Sequence, residues 1–193
     1  MQICLVRHGE TEWNSLRKIQ GREDIPLNTT GVKQIKETAN YLKNFNWEVI
    51  ISSPLLRAKN SAEIITKKIG KIEIIEEFDF IEKDYGKASG MTTDETKVYF
   101  PNGIWPGVEL FEKIQNRTVN ALTKYVQKYD GNNIIIVSHG AAINSILSYL
   151  SGSEIGTGKS NLKNACMTLL KKIDSDIKIV YFNKIADDLI NIV

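Results

Sequence analysis

Only two histidines occur in this chain, and each ends an apolar run and is followed by a glycine. The run at residues 3–6 is followed by Arg7 and His8, and the run at residues 134–137 is followed by Ser138 and His139. Short apolar runs of this kind predict buried strands, and open α/β sheets build their ligand sites along the carboxyl ends of such strands. The sequence therefore predicts that the two imidazoles meet in one crevice.

Two arginines suit the same crevice. Arg7 precedes His8 directly, and Arg57 falls in the first turn of a predicted helix, where a cation opposes the helix dipole unless an anion binds nearby. Guanidinium groups bind phosphate through paired hydrogen bonds, and their charge disfavours protonation of a nearby imidazole. Gly9 would let the backbone approach a ligand closely. Each segment alone has a plainer explanation, namely a hydrogen-bonded strand-end histidine and a solvated arginine.

The order of these segments along the chain is more informative than any one of them alone. Together they resemble the blocks of the histidine phosphatase superfamily, also called the phosphoglycerate-mutase-like family, from residue 3 to about residue 150. The matching blocks are Arg7-His8-Gly9-Glu10-Thr11 with Trp13-Asn14, Gln20-Gly21, Pro26-Leu27-Asn28 with Gly31 and Gln34, Ser52-Ser53 through Arg57-Ala58, and Ser138-His139-Gly140.

The resemblance implies a role for each matching position. His8 would be the nucleophile that becomes phosphohistidine, and His139 would be a protonated partner of a phosphoryl oxygen. The remaining assignments are Arg7 and Arg57 around the phosphoryl group, Asn14 and the Ala141 backbone N–H as further donors to it, and Gln20 and Gly21 at the border of the substrate.

The general acid is expected at Glu82, in a segment that resembles the block in which the phosphatase branch carries this residue. Asp84 is the competing candidate because it lies on the same face of an extended segment. The chain departs from the family pattern at residues 87–90 and at residues 186–189, which leaves the substrate open. Lys83, Lys87 and Trp105 are candidates for selecting it.

Alternating strand and helix patterns predict the elements that position these residues. They indicate a three-layer α/β/α sandwich with a mostly parallel central sheet, in a single domain over residues 1–193. Expected strands are 2–7, 49–51, 72–75, 132–137, 165–171 and 177–182, and expected helices are 28–44, 55–69, 108–129 and 141–150. Residues 76–107 are expected to form a loop-rich lid, whose aromatics Tyr85, Tyr99, Phe100 and Trp105 either line a pocket or form a separate hydrophobic cluster.

Composition narrows the class of protein. The net charge of +2 gives no field that would attract nucleic acid or an anionic membrane, and no apolar stretch reaches the roughly 20 residues of a membrane span. Cys4 and Cys166 are isolated, which favours reduced, buried thiols and a cytoplasmic location. Residues 156–160 lack the spacing of a phosphate-binding Walker loop and are expected to be a flexible loop.

These observations predict a histidine acid-phosphatase-type enzyme that hydrolyses a small phosphomonoester through phosphohistidine, with no metal and no cofactor. A phosphoglycerate mutase is the alternative among enzymes, and a non-catalytic phosphate-binding module is the alternative outside them. The expected partner is a small phosphorylated metabolite: a sugar phosphate, phosphoserine, a phosphoglycerate or ribazole phosphate. The sequence does not indicate an oligomeric state.

Overall fold

A six-stranded sheet forms the centre of the protein in a computed structural model that describes residues 1–190. Residues 191–193, the end of the predicted domain, lie outside the described part. The strands are β1 (Gln2–Arg7), β2 (Val49–Ser52), β3 (Glu73–Glu76), β4 (Ile134–Ser138), β5 (Met167–Ile173) and β6 (Asp176–Lys184). Their order across the sheet is β3-β2-β4-β1-β5-β6.

The first four strands are mutually parallel, as predicted, and the last two are not. β4 pairs with both β1 and β2, and β2 pairs with β3, whereas β5 runs antiparallel to β1 and forms a hairpin with β6. In the central pair, Arg7 lies opposite Ser138. The residues that follow, His8 and His139, therefore leave the sheet side by side at its carboxyl edge.

Helices cover both faces of the sheet, which confirms the three-layer architecture. They are α1 (Glu12–Ser15), α2 (Thr29–Leu42), α3 (Leu56–Ile69), α4 (Thr93–Tyr99), α5 (Phe111–Lys128), α6 (Gly140–Leu150) and α7 (Ala186–Ile190). The buried side chains of α5 and α6 join one hydrophobic cluster, and those of α2, α3 and α7 join the other. No helix in residues 1–190 is long and apolar enough to cross a membrane.

The pleat of β1 divides its apolar run between the two clusters. Ile3 and Leu5 pack in the cluster of α5 and α6, whereas Cys4 and Val6 pack in the opposite one, because successive side chains of a strand point to opposite faces. A strand buried on both faces shows a continuous apolar run. Both cysteines are buried, unpaired thiols as predicted, and burial raises the pKa of Cys166 to about 11.

Three short helices were missing from the sequence prediction. α1 and α7 have only 4 and 5 residues, too few to show a helical period. α4 has 7 residues and lies inside the predicted lid at residues 76–107. Its capping box joins Thr92 to Glu95, a local signal that the irregular composition of this region concealed.

Gly9 serves a packing role, which corrects the expectation that it approaches a ligand. A Cβ at Gly9 would lie 2.5 Å from the carbonyl oxygen of Gly31, at the start of α2. A Cβ at Gly31 would in turn lie 2.6 Å from the backbone nitrogen of Glu10 and closer still to its carbonyl oxygen. The two glycines therefore allow the end of β1 to pass against α2, which fixes the backbone next to His8.

Candidate active site

The two histidines lie side by side at the carboxyl edge of the sheet, as their strand-end positions predict. Their ring centroids are 5.2 Å apart and the rings are inclined at 56°. Both residues are buried, His8 at 2% exposure and His139 at 0%. Adjacent parallel strands ending in His-Gly thus bring together residues that are far apart in the sequence.

His8 is held with one ring nitrogen engaged and the other available. Its Nδ1 lies 2.7 Å from the carbonyl oxygen of Gly9, so Nδ1 carries the proton and Nε2 keeps its lone pair. The backbone is fixed by the Ala165 N–H, which donates to the His8 carbonyl oxygen at 3.0 Å. Burial, followed by the charges of Arg57 and Arg7, holds the pKa of His8 well below its usual value. The free nitrogen is a suitable nucleophile at neutral pH.

His139 packs beside His8 on the buried side. Its Nε2 lies 2.7 Å from the hydroxyl of Ser53, and its buried Nδ1 has no hydrogen-bond partner among the described residues. Burial and the charge of Arg57 lower the pKa of His139 well below its usual value. These surroundings favour the neutral ring, and the protonated form expected from the sequence remains a prediction for the phosphoryl-bound state.

The arginines are positioned by backbone carbonyls. Arg57 is 1% exposed, and its two terminal nitrogens donate to the carbonyl oxygens of Gly21 and Glu23, each at 2.7 Å. Burial lowers the pKa of Arg57 to about 10, so the group is still charged at neutral pH. Arg7 donates from Nη1 to the carbonyl of Leu162. The buried Nε atoms of both arginines have no partner among the described residues, which leaves donors for an anion.

Glu82 reaches the same crevice from the segment after β3. Its Oε1 accepts the N–H groups of Lys83 at 2.8 Å and Ala142 at 3.1 Å, and its Oε2 accepts the N–H of Ala141 at 3.2 Å. A carboxylate at the N-terminus of α6 also suits the helix dipole. In the ligand-free protein, Glu82 thus occupies the Ala141 N–H that the resemblance assigns to a phosphoryl oxygen.

Asp84 has different surroundings. Its Oδ1 accepts the N–H of Gly86 at 2.8 Å, and its side chain is 41% exposed and lies 3.8 Å from Arg22. Asp84 does not line the crevice, whereas Glu82 does. The geometry favours Glu82 over Asp84 as the acid, and the role itself stays a prediction.

Arg117 and the buried Glu109 form an ion pair, called the Arg117 brace, that contacts the backbone of the Glu82 segment. Arg117 donates from Nε and Nη2 to the carboxylate of Glu109 at 2.9 and 3.0 Å. It also donates to the carbonyl oxygens of Asp79 and Ile81 at 2.7 Å each, and to that of Glu82 at 3.1 Å. The sequence predicts α5 only as a core helix and assigns Arg117 no part in the site.

Every site residue predicted from the sequence except His139 lines one cavity of about 390 Å³. His139 contacts His8 from the buried side instead. The predicted residues in the lining are Arg7, His8, Asn14, Gln20, Gly21, Arg57, Glu82 and Ala141. Asn14 accepts the side-chain N–H of Asn164 at 3.1 Å, and the buried Oε1 of Gln20 has no partner among the described residues.

Of the four aromatics named from the sequence in the predicted lid, two line this cavity. Tyr85 and Trp105 line it with ring centroids 6.0 Å apart, whereas Tyr99 is 67% exposed. Neither Lys83 nor Lys87 is in the lining, and the Lys83 ammonium lies 5.4 Å from the centroid of the Tyr85 ring. Of the three residues expected to select a substrate, only Trp105 is therefore placed to touch one directly.

Sequence reasoning missed a second wall of the cavity. The loop between α6 and β5 supplies Thr157, Gly158, Asn161 and Leu162, and α6 itself supplies Asn144. Asn144 anchors this loop, because it donates to the carbonyl oxygen of Ser160 at 3.0 Å. The sequence has no periodicity or charge pattern that signals this role, and it predicts residues 156–160 only as a flexible loop.

The fold is that of the phosphoglycerate-mutase-like proteins. The profile of the histidine phosphatase superfamily (branch 1) matches residues 3–185, and the chain belongs to this superfamily.

Relatives carry both phosphatase and mutase names. The chain is 42% identical over 181 residues to the uncharacterized phosphatase PhoE of Bacillus subtilis (strain 168), covering 94% of this chain and 93% of that protein. It is 33% identical over 163 residues to the probable phosphoglycerate mutase GpmB of Salmonella typhi, covering 79% and 75%. A phosphoserine phosphatase from Entamoeba histolytica, solved in complex with 3-phosphoglyceric acid, superposes with a TM-score of 0.84 at 29% identity, covering 97% and 99%.

Proposed function

We propose that the protein is a metal-independent phosphatase that hydrolyses a small phosphorylated metabolite of the cytoplasm through a phosphohistidine at His8. The observation that carries this proposal is the free Nε2 of His8, oriented by the Gly9 carbonyl in a cavity that also contains Arg7 and Arg57. A buried, unprotonated imidazole beside two fixed cations suits attack on a phosphate dianion.

The reaction has two balanced steps. In the first, Nε2 of His8 forms a bond to phosphorus while the ester P–O bond breaks. Glu82, which takes up a proton from solvent when the substrate displaces it from the Ala141 N–H, gives that proton to the leaving alkoxide. In the second, a water attacks the phosphohistidine, Glu82 takes back a proton from that water, and inorganic phosphate leaves with His8 restored. Arg7 and Arg57 stabilise the charge on the equatorial oxygens in both steps.

Substrate binding would also release the acid. The Ala141 N–H that holds Glu82 at 3.2 Å in the ligand-free protein is placed at a helix N-terminus, where phosphoryl oxygens bind well. A phosphoryl oxygen that takes this N–H displaces the carboxylate toward the ester oxygen. The same dianion favours protonation of His139, whose Nδ1 has no hydrogen-bond partner within residues 1–190.

The nucleophile is tested by replacing His8. The His8→Ala variant should lose hydrolysis of p-nitrophenyl phosphate. Rapid quenching during turnover should trap a base-stable, acid-labile phosphoprotein in the wild type and none in His8→Ala. Turnover retained by His8→Ala would refute the assignment. If the folded wild-type protein binds phosphate but hydrolyses no phosphomonoester, it is a non-catalytic phosphate-binding module.

The acid is tested with a matched pair of carboxylate variants. Glu82→Gln should slow hydrolysis of glycerol phosphate by about 10²–10⁴-fold, the usual contribution of acid–base catalysis. The same change should slow p-nitrophenyl phosphate much less, because its leaving group needs little protonation. Asp84→Asn, two residues away, should leave the ratio of the two rates as in the wild type. Equal slowing of both substrates by Glu82→Gln would remove Glu82 from this role.

A mutase is the second candidate, favoured by the 33% identity to a probable phosphoglycerate mutase. In a mutase the phosphohistidine returns its phosphoryl group to a second hydroxyl of the substrate rather than to water. Incubation with 3-phosphoglycerate and a 2,3-bisphosphoglycerate primer decides between them. Formation of 2-phosphoglycerate faster than inorganic phosphate would replace the proposal of hydrolysis.

A further inference from the structure

The hydroxyl of Ser53 is committed to the ring of His139. Its oxygen lies 2.7 Å from Nε2 of His139, and both residues are buried at 0% exposure. The same oxygen accepts the N–H of Leu55 at 3.4 Å. Within residues 1–190 the Ser53 hydroxyl makes no other hydrogen bond, so its proton has one acceptor in reach there, the ring nitrogen.

The number of unsatisfied buried atoms indicates which ring nitrogen of His139 carries the proton. With the proton on Nδ1, the Ser53 hydroxyl donates to Nε2, and the Nδ1–H alone lacks a partner in the described part of the chain. With the proton on Nε2, that N–H donates to the Ser53 oxygen, and both the hydroxyl proton and the Nδ1 lone pair lack partners. Each unsatisfied buried polar group destabilises the folded state, so the first arrangement is favoured.

The unpaired Nδ1–H then joins two other buried donors near His8. Arg7 and Arg57, whose charges act on His8, each have a buried Nε–H without a partner among the described residues. The ring of His139 lies 5.2 Å from that of His8, measured between centroids. A phosphoryl group at His8 would offer several acceptor oxygens to these donors at once.

We propose that Ser53 is a positioning residue that holds His139 as the Nδ1–H tautomer, so that the ring donates a hydrogen bond to the phosphoryl group without first taking up a proton. Because a hydroxyl both donates and accepts, Ser53 donates to a neutral His139 and accepts from a protonated one. Nδ1 keeps its proton in both forms, so the donation does not depend on pH. The inference rests on the proposed function for the phosphoryl group at His8, whereas the tautomer itself can be tested without it.

The surroundings of His139 make such a device useful. Burial is the main cause that lowers its pKa, and the groups that lower it further are, in order, Arg57, His8, Arg7 and Arg117. The carboxylate of Glu82 accepts the N–H groups of Ala141 and Ala142. A donor that depended on protonation of this histidine would be available only in acid.

The tautomer can be observed directly because the chain has only two histidines. Nitrogen NMR of protein labelled with 15N-histidine resolves the ring nitrogens, and the His8→Asn variant identifies those of His139. In the ligand-free wild type near neutral pH, Nδ1 of His139 should show the chemical shift of a protonated nitrogen and Nε2 that of an unprotonated one. In Ser53→Ala both shifts should move toward those of a mixture of tautomers. A protonated Nε2 in the wild type would overturn the proposal.

The consequence for catalysis appears in the pH dependence of Ser53→Ala. Its neutral His139 can place the proton on either nitrogen, so only the protonated ring is certain to donate from Nδ1. The ratio of kcat/KM on p-nitrophenyl phosphate, Ser53→Ala to wild type, should therefore fall by about two- to tenfold from acidic to mildly alkaline pH, the worth of one hydrogen bond. Titration of His8, Glu82 and the substrate cancels in this ratio because both proteins share it.

Two further variants separate the hydroxyl from folding. Ser53→Thr keeps a hydroxyl and should give a ratio to wild type that does not change with pH. Ser145→Ala removes an equally buried hydroxyl, which bonds to the Ala142 carbonyl and to Thr118, and should also give a constant ratio. A constant ratio for Ser53→Ala, or an equal fall in Ser145→Ala, would refute the positioning role.

Failure of this inference is distinguishable from failure of the proposed function. If p-nitrophenyl phosphate is hydrolysed through His8 but His139 carries a proton on Nε2, the phosphatase stands and the inference is wrong. If no phosphomonoester is hydrolysed, the proposed function fails and the nitrogen shifts still decide the tautomer. An Nδ1–H form that Ser53→Ala weakens would then support the positioning by Ser53, and one that Ser53→Ala leaves unchanged would refute it.

Discussion

Replacing Arg117 with methionine should both destabilise the protein and misplace Glu82, the proposed catalytic acid. The Arg117 guanidinium donates to both oxygens of Glu109 and to the carbonyl oxygens of Asp79, Ile81 and Glu82. Methionine fills similar space but donates none of these hydrogen bonds. The variant would leave the Glu109 side chain, which is 3% exposed, without its main counter-charge.

The size of the effect follows from what remains around Glu109. Breaking a buried ion pair by removing one partner costs about 3–5 kcal/mol. Glu109 keeps the Asp84 N–H at 3.2 Å and Arg22 at 3.4 Å, and Arg22 is partly exposed and can adjust. We therefore expect the lower end, about 3 kcal/mol, which corresponds to a fall in Tm of roughly 6–12 °C for a chain of this length.

A double-mutant cycle in urea checks this reasoning. Glu109→Leu combined with Arg117→Met removes both charges together, so the double variant should be clearly more stable than the sum of the two single changes predicts. Strict additivity would show that the pair is not coupled and would refute the assignment of the cost to an unpaired Glu109.

The positioning role has its own readout. If Arg117 fixes the Glu82 backbone, folded Arg117→Met should lose more activity on glycerol phosphate than on p-nitrophenyl phosphate, and the loss should lie in kcat rather than KM. An unchanged ratio between the two substrates, measured below the unfolding temperature, would limit the Arg117 brace to a structural role.

Three further predictions concern pH, packing and metal. Because the pKa values of His8 and His139 are held below 6.5, the unfolded chain binds protons that the folded chain does not, so stability should fall below about pH 6.5 by up to about 1.4 kcal/mol per histidine per pH unit. The midpoint of urea unfolding, measured between pH 8 and pH 5, reports this loss of stability. The His8→Asn variant should lose less stability over the same range. A midpoint that does not change with pH would contradict the prediction. Gly31→Ala should lower the free energy of unfolding by about 3 kcal/mol because its Cβ meets the Glu10 backbone, whereas exposed Thr30→Ala should not. EDTA should leave turnover intact, and a loss that added metal restores would contradict a metal-free reaction.

The sequence predicted the parts of the site that depend on strand ends. The apolar runs that precede each His-Gly pair predict the bounds of β1 and β4 to within two residues. Because the carboxyl ends of parallel strands lie at the same edge of a sheet, they also predict that His8 lies beside His139. The same rule could not reveal that β5 and β6 turn antiparallel, because a buried strand has the same apolar pattern in either direction.

The spacing of residues along the chain could not distinguish Glu82 from Asp84. Both were expected on one face of an extended segment, yet Glu82 reaches the N-terminus of α6 whereas Asp84 bonds to the Gly86 N–H. The separation arises from long-range contacts, since Glu109 accepts the Asp84 N–H and Arg117 holds the Glu82 carbonyl. Neither contact leaves a local pattern in the sequence.

Loops that are distant in the sequence belong to the site because their backbone carbonyls hold the two arginines of the cavity. Arg57 is held by the carbonyls of Gly21 and Glu23, and Arg7 by that of Leu162, rather than by carboxylates. A carbonyl satisfies a buried guanidinium without cancelling its charge, so the field remains available to a phosphate. Among the described lining residues, the one carboxylate is that of Glu82, and backbone N–H groups hold it. A carboxylate at the position of these carbonyls would neutralise the arginines and favour protonation of both histidines, and the proposed nucleophile, the free ring nitrogen of His8, would be lost.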